Sequence, residues 1–119
     1  MHNIKELKIW NRSIDLTVEV YKATNNFPKT EIYGLTSQIR RAAVSIPSNI
    51  AEGAGRNSNG EFIHFLGIAN GSSYELQTQL ILSTRLNLLA EKSVISILNE
   101  LDELQKMNYK LMSSLQKKA

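Results

Sequence analysis

Apolar residues recur along most of this chain at steps of three and four, the spacing that lays side chains along one stripe of an α-helix. Four stretches carry the pattern. The first covers about residues 4–24 and aligns Leu7, Trp10, Ile14, Val18 and Tyr21 on one face. Asn3 followed by Glu6 has the spacing of a capping box that would start it, and Pro28 ends it by biasing Phe27 away from helical dihedrals. The second covers about residues 30–54 with Ile32, Leu35, Ile39, Ala42 or Ala43, Ile46 and Ile50 in phase. Pro47 falls inside it, lacks an N–H and crowds the carbonyl four residues back, which predicts a kink between Ala43 and Pro47. Gly53-Ala54-Gly55 is the expected terminator, since glycine suits the left-handed conformation that closes helices.

Ser58 and Glu61 form a second capping-box match and open a third helix, with Phe62, Phe65, Leu66, Ala69, Leu76 and Leu80 facing inward. Gly67, Gly71, Ser72 and Ser73 are poor helix formers in its middle, and each glycine costs about 1 kcal/mol relative to alanine. Their small size predicts a close approach by another backbone. After a break around residues 87–91 the fourth helix shows a heptad: Val94, Ile97, Leu101, Leu104, Asn108, Leu111 and Leu115. Each helix would be about 30 to 40 Å long at 1.5 Å per residue. Loops too short to cross the molecule make the fold all-α, a single antiparallel up-down four-helix bundle over residues 1–119.

Some apolar residues do not fit these seams. Ile9, Leu16 and Val20 in the first helix, and Ile68, Leu82, Leu86 and Leu89 in or after the third, lie off the main stripes. Apolar surface beyond what one core can use marks interfaces, so self-association is expected.

Composition narrows the class further. At 119 residues and 42% hydrophobic content, the chain can build one core and not two. It contains no cysteine, which removes disulfides, cysteine-ligated metals and cysteine nucleophiles and fits a reducing compartment. Charged residues interrupt the N-terminus where a signal peptide needs an apolar run, and no window approaches a membrane span. A cytoplasmic location is the expectation.

Candidate chemistry is sparse. Glu61-Phe62-Ile63-His64 is a Glu-x-x-His on a helix, but a di-metal site needs a second such motif and two further glutamates. His2 is the only other histidine and lies at a terminus expected to be loosely held. No serine occupies a Gly-x-Ser-x-Gly turn, and Glu52-Gly53-Ala54-Gly55-Arg56 lacks the spacing and preceding strand of a phosphate loop. The chain reads as a non-enzyme without cofactor, metal, membrane or small-molecule substrate.

The basic residues are the one lead from charge. The net charge is only +3, but residues 1–60 hold eight Lys or Arg against five acids, whereas the remainder is balanced. Lys29, the adjacent Arg40 and Arg41, and Arg56 are the candidate nucleic-acid contacts, because arginine forks onto phosphate oxygens. The alternative is that Arg40 or Arg41 pairs with a carboxylate such as Glu31, Glu52 or Glu75. An oligomer would multiply the charge around one axis.

One stretch is distinctive. Phe27-Pro28, Glu31, Gly34-Leu35, Gln38, Arg40-Arg41-Ala42-Ala43, Ser45-Ile46-Pro47, Asn49-Ile50-Ala51-Glu52-Gly53, Arg56, Glu61-Phe62, Phe65-Leu66, Ile68-Ala69, Gly71-Ser72 and Glu75-Leu76 closely resemble the four-helix bundle proteins encoded in 23S rRNA intervening sequences, sometimes labelled ribosomal proteins. The resemblance implies ring-forming homo-oligomers, commonly pentamers; taken together with the clustered arginines, it makes RNA or a ribonucleoprotein the expected partner. A similar branch serves as accessory protein to the reverse transcriptase of diversity-generating retroelements, which implies the alternative of a protein-interaction scaffold. Arg40, Arg41 and Arg56 match the basic positions, while the last two helices here depart from a strongly basic ring.

Overall fold

Short connections force each helix back along its predecessor. The computed structural model describes residues 2–118, in which α1 is Lys8–Thr24, α2 Leu35–Ala54, α3 Asn59–Arg85 and α4 Glu91–Lys118, with 3-10 turns at Ile4–Glu6 and Lys29–Glu31. The side-chain pairings give the directions. Arg40 reaches Thr24 while the His2 amide donates to the Ala54 carbonyl at 2.9 Å, so α1 and α2 run oppositely. Ser45 meets Ser72 and Gly53 meets Phe62, which makes α3 antiparallel to α2. Gln105 reaches Gln77 and Asn108 reaches Leu66, which turns α4 back again. The result is an all-α up-down bundle of 46 × 23 × 20 Å.

Helix α1 buries a different face from the one its apolar spacing predicts. Ile9, Ser13, Leu16, Val20 and Thr24 point into the core, while Ile14, Val18 and Tyr21 are exposed. The stripe is rotated by one residue, about 100°. Two hydroxyl residues on the buried face disguise it in the sequence. They cost little there, because Ser13 Oγ donates to the Trp10 carbonyl at 2.7 Å and Thr24 Oγ1 to the Val20 carbonyl at 2.9 Å. The start also differs. Asn3 Oδ1 accepts from the Lys5 amide and caps the 3-10 turn; Leu7 is extended, and α1 begins after it. His2 is held by its amide bond and by its ring, 5.0 Å from that of Phe62, rather than left loose.

Helix α2 begins at Leu35, not near residue 30, because Gly34 leaves helical dihedrals at φ −112°, ψ −114°. The helix then continues unbroken through Pro47. Pro47 has no N–H for the Ala43 carbonyl. Thr17 of α1 supplies the donor from outside: its Oγ1 lies 3.1 Å from that carbonyl and 2.8 Å from the Ser13 carbonyl, sharing one hydrogen between them.

The glycines exchange the roles expected of them. No glycine among the described residues has positive φ, and Gly55 closes α2 at φ −82°. Gly53 is instead the site of close approach, since a Cβ there would lie 2.8 Å from Phe65 Cβ and 2.9 Å from Phe62 Cδ1. Gly67 and Gly71 face open space, with nothing within 4 Å of an added Cβ. The left-handed residue is Asn87, at φ 61°, which ends α3 with bonds from the Asn87 amide to the Thr84 carbonyl and from the Leu88 amide to the Ser83 carbonyl. Ser58 caps the other end by accepting from the Glu61 amide at 3.2 Å. In α4 the heptad residues are buried as expected, with Leu111 partly so.

Chemical denaturation checks three consequences. Gly53→Ala should destabilise by about 1–3 kcal/mol through overpacking, whereas Gly67→Ala should stabilise by about 1 kcal/mol if only solvent faces it. Thr17→Val should cost about 1–3 kcal/mol by leaving the Ala43 carbonyl unpaired.

Candidate functional site

The antiparallel pairing of α1 and α2 places the end of one beside the start of the other. Arg40, in the second turn of α2, therefore meets the last turn of α1. Its Nε donates to Thr24 Oγ1 at 3.0 Å, its Nη2 donates to the Tyr21 carbonyl at 3.2 Å, and its Cζ lies 4.5 Å from the centroid of the Tyr21 ring. The Tyr21 carbonyl is among the last four of α1, which lack amide partners within the helix, and a cation there also complements the helix dipole. Arg40 is thus a cap for α1, and it forms no ion pair with Glu31, Glu52 or Glu75.

Beside it opens a groove of about 630 Å³ between α1 and α2. Tyr21 and Arg40 form one side; Tyr33, Thr36, Arg41 and Val44 contribute from the turn before α2 and from its first three turns. No carboxylate lines it. Arg41 is exposed and has no hydrogen-bond or ion-pair partner among the described residues. Thr36 is buried, and its hydroxyl oxygen also lacks a partner.

The other basic candidates lie elsewhere. Arg56 follows the far end of α2, about 20 Å along the helix from Arg41, where it pairs with Glu52 at 3.3 Å and stacks 4.8 Å from the Phe65 ring centroid. Lys29, exposed in the second 3-10 turn, does not line the groove. Within one chain, then, Arg40 and Arg41 line one groove while Arg56 and Lys29 lie outside it.

Sequence reasoning passed over Arg12. Its guanidinium grips the Glu100 carboxylate with two nitrogens, Nε at 3.0 Å from Oε2, and its Nη1 lies 3.4 Å from Met107 Sδ. The hydrogen bond to Glu100 raises the Arg12 pKa above its ordinary value, against the opposing effect of partial burial. This pair joins α1 to α4 and is structural. Nothing in a single sequence links two residues so far apart. Glu61 and His64 are both exposed on α3, and no three His, Asp or Glu side chains gather to hold a metal among the described residues. No helix among them is long and apolar enough to cross a membrane.

A family model described as 23S rRNA-intervening sequence protein matches residues 5–110. The chain belongs to that family. A solved member of the S23 ribosomal protein family from Bacteroides thetaiotaomicron, a protein of unknown function, matches this intervening-sequence family member with a TM-score of 0.78. The two are 26% identical over 87% of this chain and 97% of the other. Among curated proteins none matches.

The two arginines of the groove should separate in stability measurements. Arg40→Ala removes a cap and a stacked cation and should cost about 1–2 kcal/mol. Arg41→Ala should stay within about 0.5 kcal/mol of the parent in the same urea titration.

Proposed function

We propose that this intervening-sequence family member is a non-enzymatic, cytoplasmic, homo-oligomeric bundle that binds RNA, or a ribonucleoprotein containing it, through phosphate contacts at the α1–α2 groove. The observation that carries the reading is Arg41: a guanidinium with no carboxylate beside it, next to Arg40, in an open groove without acidic lining. Arginine presents a planar fork that matches phosphate oxygens. Arg56 and Lys29 extend the basic surface beyond the groove when several copies are assembled. The lack of cysteine suits a reducing compartment.

Self-association is supported by the apolar side chains left outside. Ile14 and Val18 of α1 and Val44 of α2 are exposed, as are Ile68, Ile81 and Leu82 of α3. Apolar side chains left exposed on three helices are available to a second copy of the chain, and a closed ring, a pentamer on the family resemblance, would bring its arginines around one axis. The same exposure favours a second reading, a protein-interaction scaffold such as an accessory protein to a reverse transcriptase, in which the groove contacts no RNA.

Titration of the full chain with structured RNA derived from 23S rRNA tests both. Binding should weaken steeply between about 50 and 200 mM salt as counterions are released, and Arg41→Ala should lower the slope of log K against log salt by about one. The absence of binding at about 50 mM salt would refute the RNA reading. If Arg41→Ala changes the mass seen by light scattering but not the RNA affinity, the scaffold reading stands.

A further inference from the structure

We infer that the α1–α2 groove takes an unpaired nucleotide, with its base stacked on Tyr33 and its phosphate held by Arg41. The inference rests on the RNA reading above and names which part of an RNA the site recognises.

Tyr33 is 97% exposed, so both faces of its ring are open to water. It stands in the turn before α2 at the lip of the groove, on the same lining as Arg41 and Thr36. The Tyr21 ring differs, because Arg40 already lies 4.5 Å from its centroid. The groove therefore offers one vacant aromatic ring and one uncommitted guanidinium. A nucleotide carries the complement of both, a flat base and an anionic phosphate. A volume of about 630 Å³ falls within the range of about 300–1,000 Å³ typical of small-ligand sites.

Pairing state follows from the same geometry. Bases inside an A-form duplex have their faces covered by neighbours, and the deep, narrow major groove keeps their edges from side chains. A loop, bulge or single strand can splay a base onto an aromatic ring.

The test measures binding of the full chain to a labelled single-stranded oligoribonucleotide and to the same sequence in a perfect duplex, by fluorescence anisotropy at low salt. The single strand should bind more tightly. Tyr33→Ala should weaken it by about tenfold or more, in the range found for loss of base stacking, and leave the duplex unaffected, while Tyr33→Phe should retain the parent's affinity. If Tyr33→Ala binds the single strand as the parent does and Arg41→Ala weakens both probes, phosphate binding stands and stacking is overturned. If Tyr33→Ala lowers the mass seen by light scattering without changing RNA affinity, a second copy of the chain covers Tyr33, and the inference again falls. A parent protein that binds neither probe overturns the RNA reading and this inference with it.

Discussion

Helix α2 packs between α1 and α3, and at its centre lies a residue with no amide hydrogen to give. Pro47 leaves the Ala43 carbonyl without its helical donor, in a segment where Ala42, Ala43, Ile46, Pro47 and Ile50 are all buried. Water has little access there, so the missing bond must come from a neighbour. Thr17 provides it. That hydroxyl ties the middle of α1 to the middle of α2, on the same face of α1 that burial of Ile9, Leu16 and Val20 turns inward. Ile14, Val18 and Tyr21 are left on the outer face. The Tyr21 carbonyl and ring arrive beneath Arg40, and the groove that holds Arg41 forms alongside.

On the other flank of α2 the constraint is space. Gly53 admits Phe62 and Phe65 to distances that no Cβ would allow, and the Ser45 and Ser72 hydroxyls meet at 2.8 Å. Between α3 and α4 the register is fixed by polar side chains at otherwise apolar levels. Asn108 donates to the Leu66 carbonyl, and Gln105 spans Ser73 and Gln77. Such bonds add specificity to packing that leucine and isoleucine alone would leave free to slide. Arg12 and Glu100 close the remaining seam between α1 and α4. Because both side chains are partly in water, that bridge contributes about 1 kcal/mol or less.

The sequence was most legible where local chemistry and periodicity agree. In α4 the heptad from Val94 to Leu115 needs no outside information, and the Ser58 cap is a local bond that its spacing reveals. Helix α1 misleads because apolar residues occupy two adjacent stripes, and the buried one carries Ser13 and Thr24, whose hydroxyls satisfy themselves on their own helix. A count of apolar residues favours the wrong face. Glycine misleads for a related reason, since its sequence position does not say whether a backbone or only solvent faces it. The arginine pair was visible as a charge cluster, but the commitment of Arg40 to α1 and the freedom of Arg41 depend on a tertiary contact. Tyr33 and Thr36 gave no sequence signal; only their meeting in one groove distinguishes them.

Gly67 and Gly71 face outward from a long helix that they do nothing to stabilise. Together they weaken it by about 2 kcal/mol relative to alanine, so α3 taken alone would spend most of its time unwound. Its helicity is borrowed from the side chains of α2 and α4 that cover its inner face. Folding of the middle of α3 and docking of its neighbours are therefore one event rather than two. Amide hydrogens there should exchange through opening of the bundle as a whole.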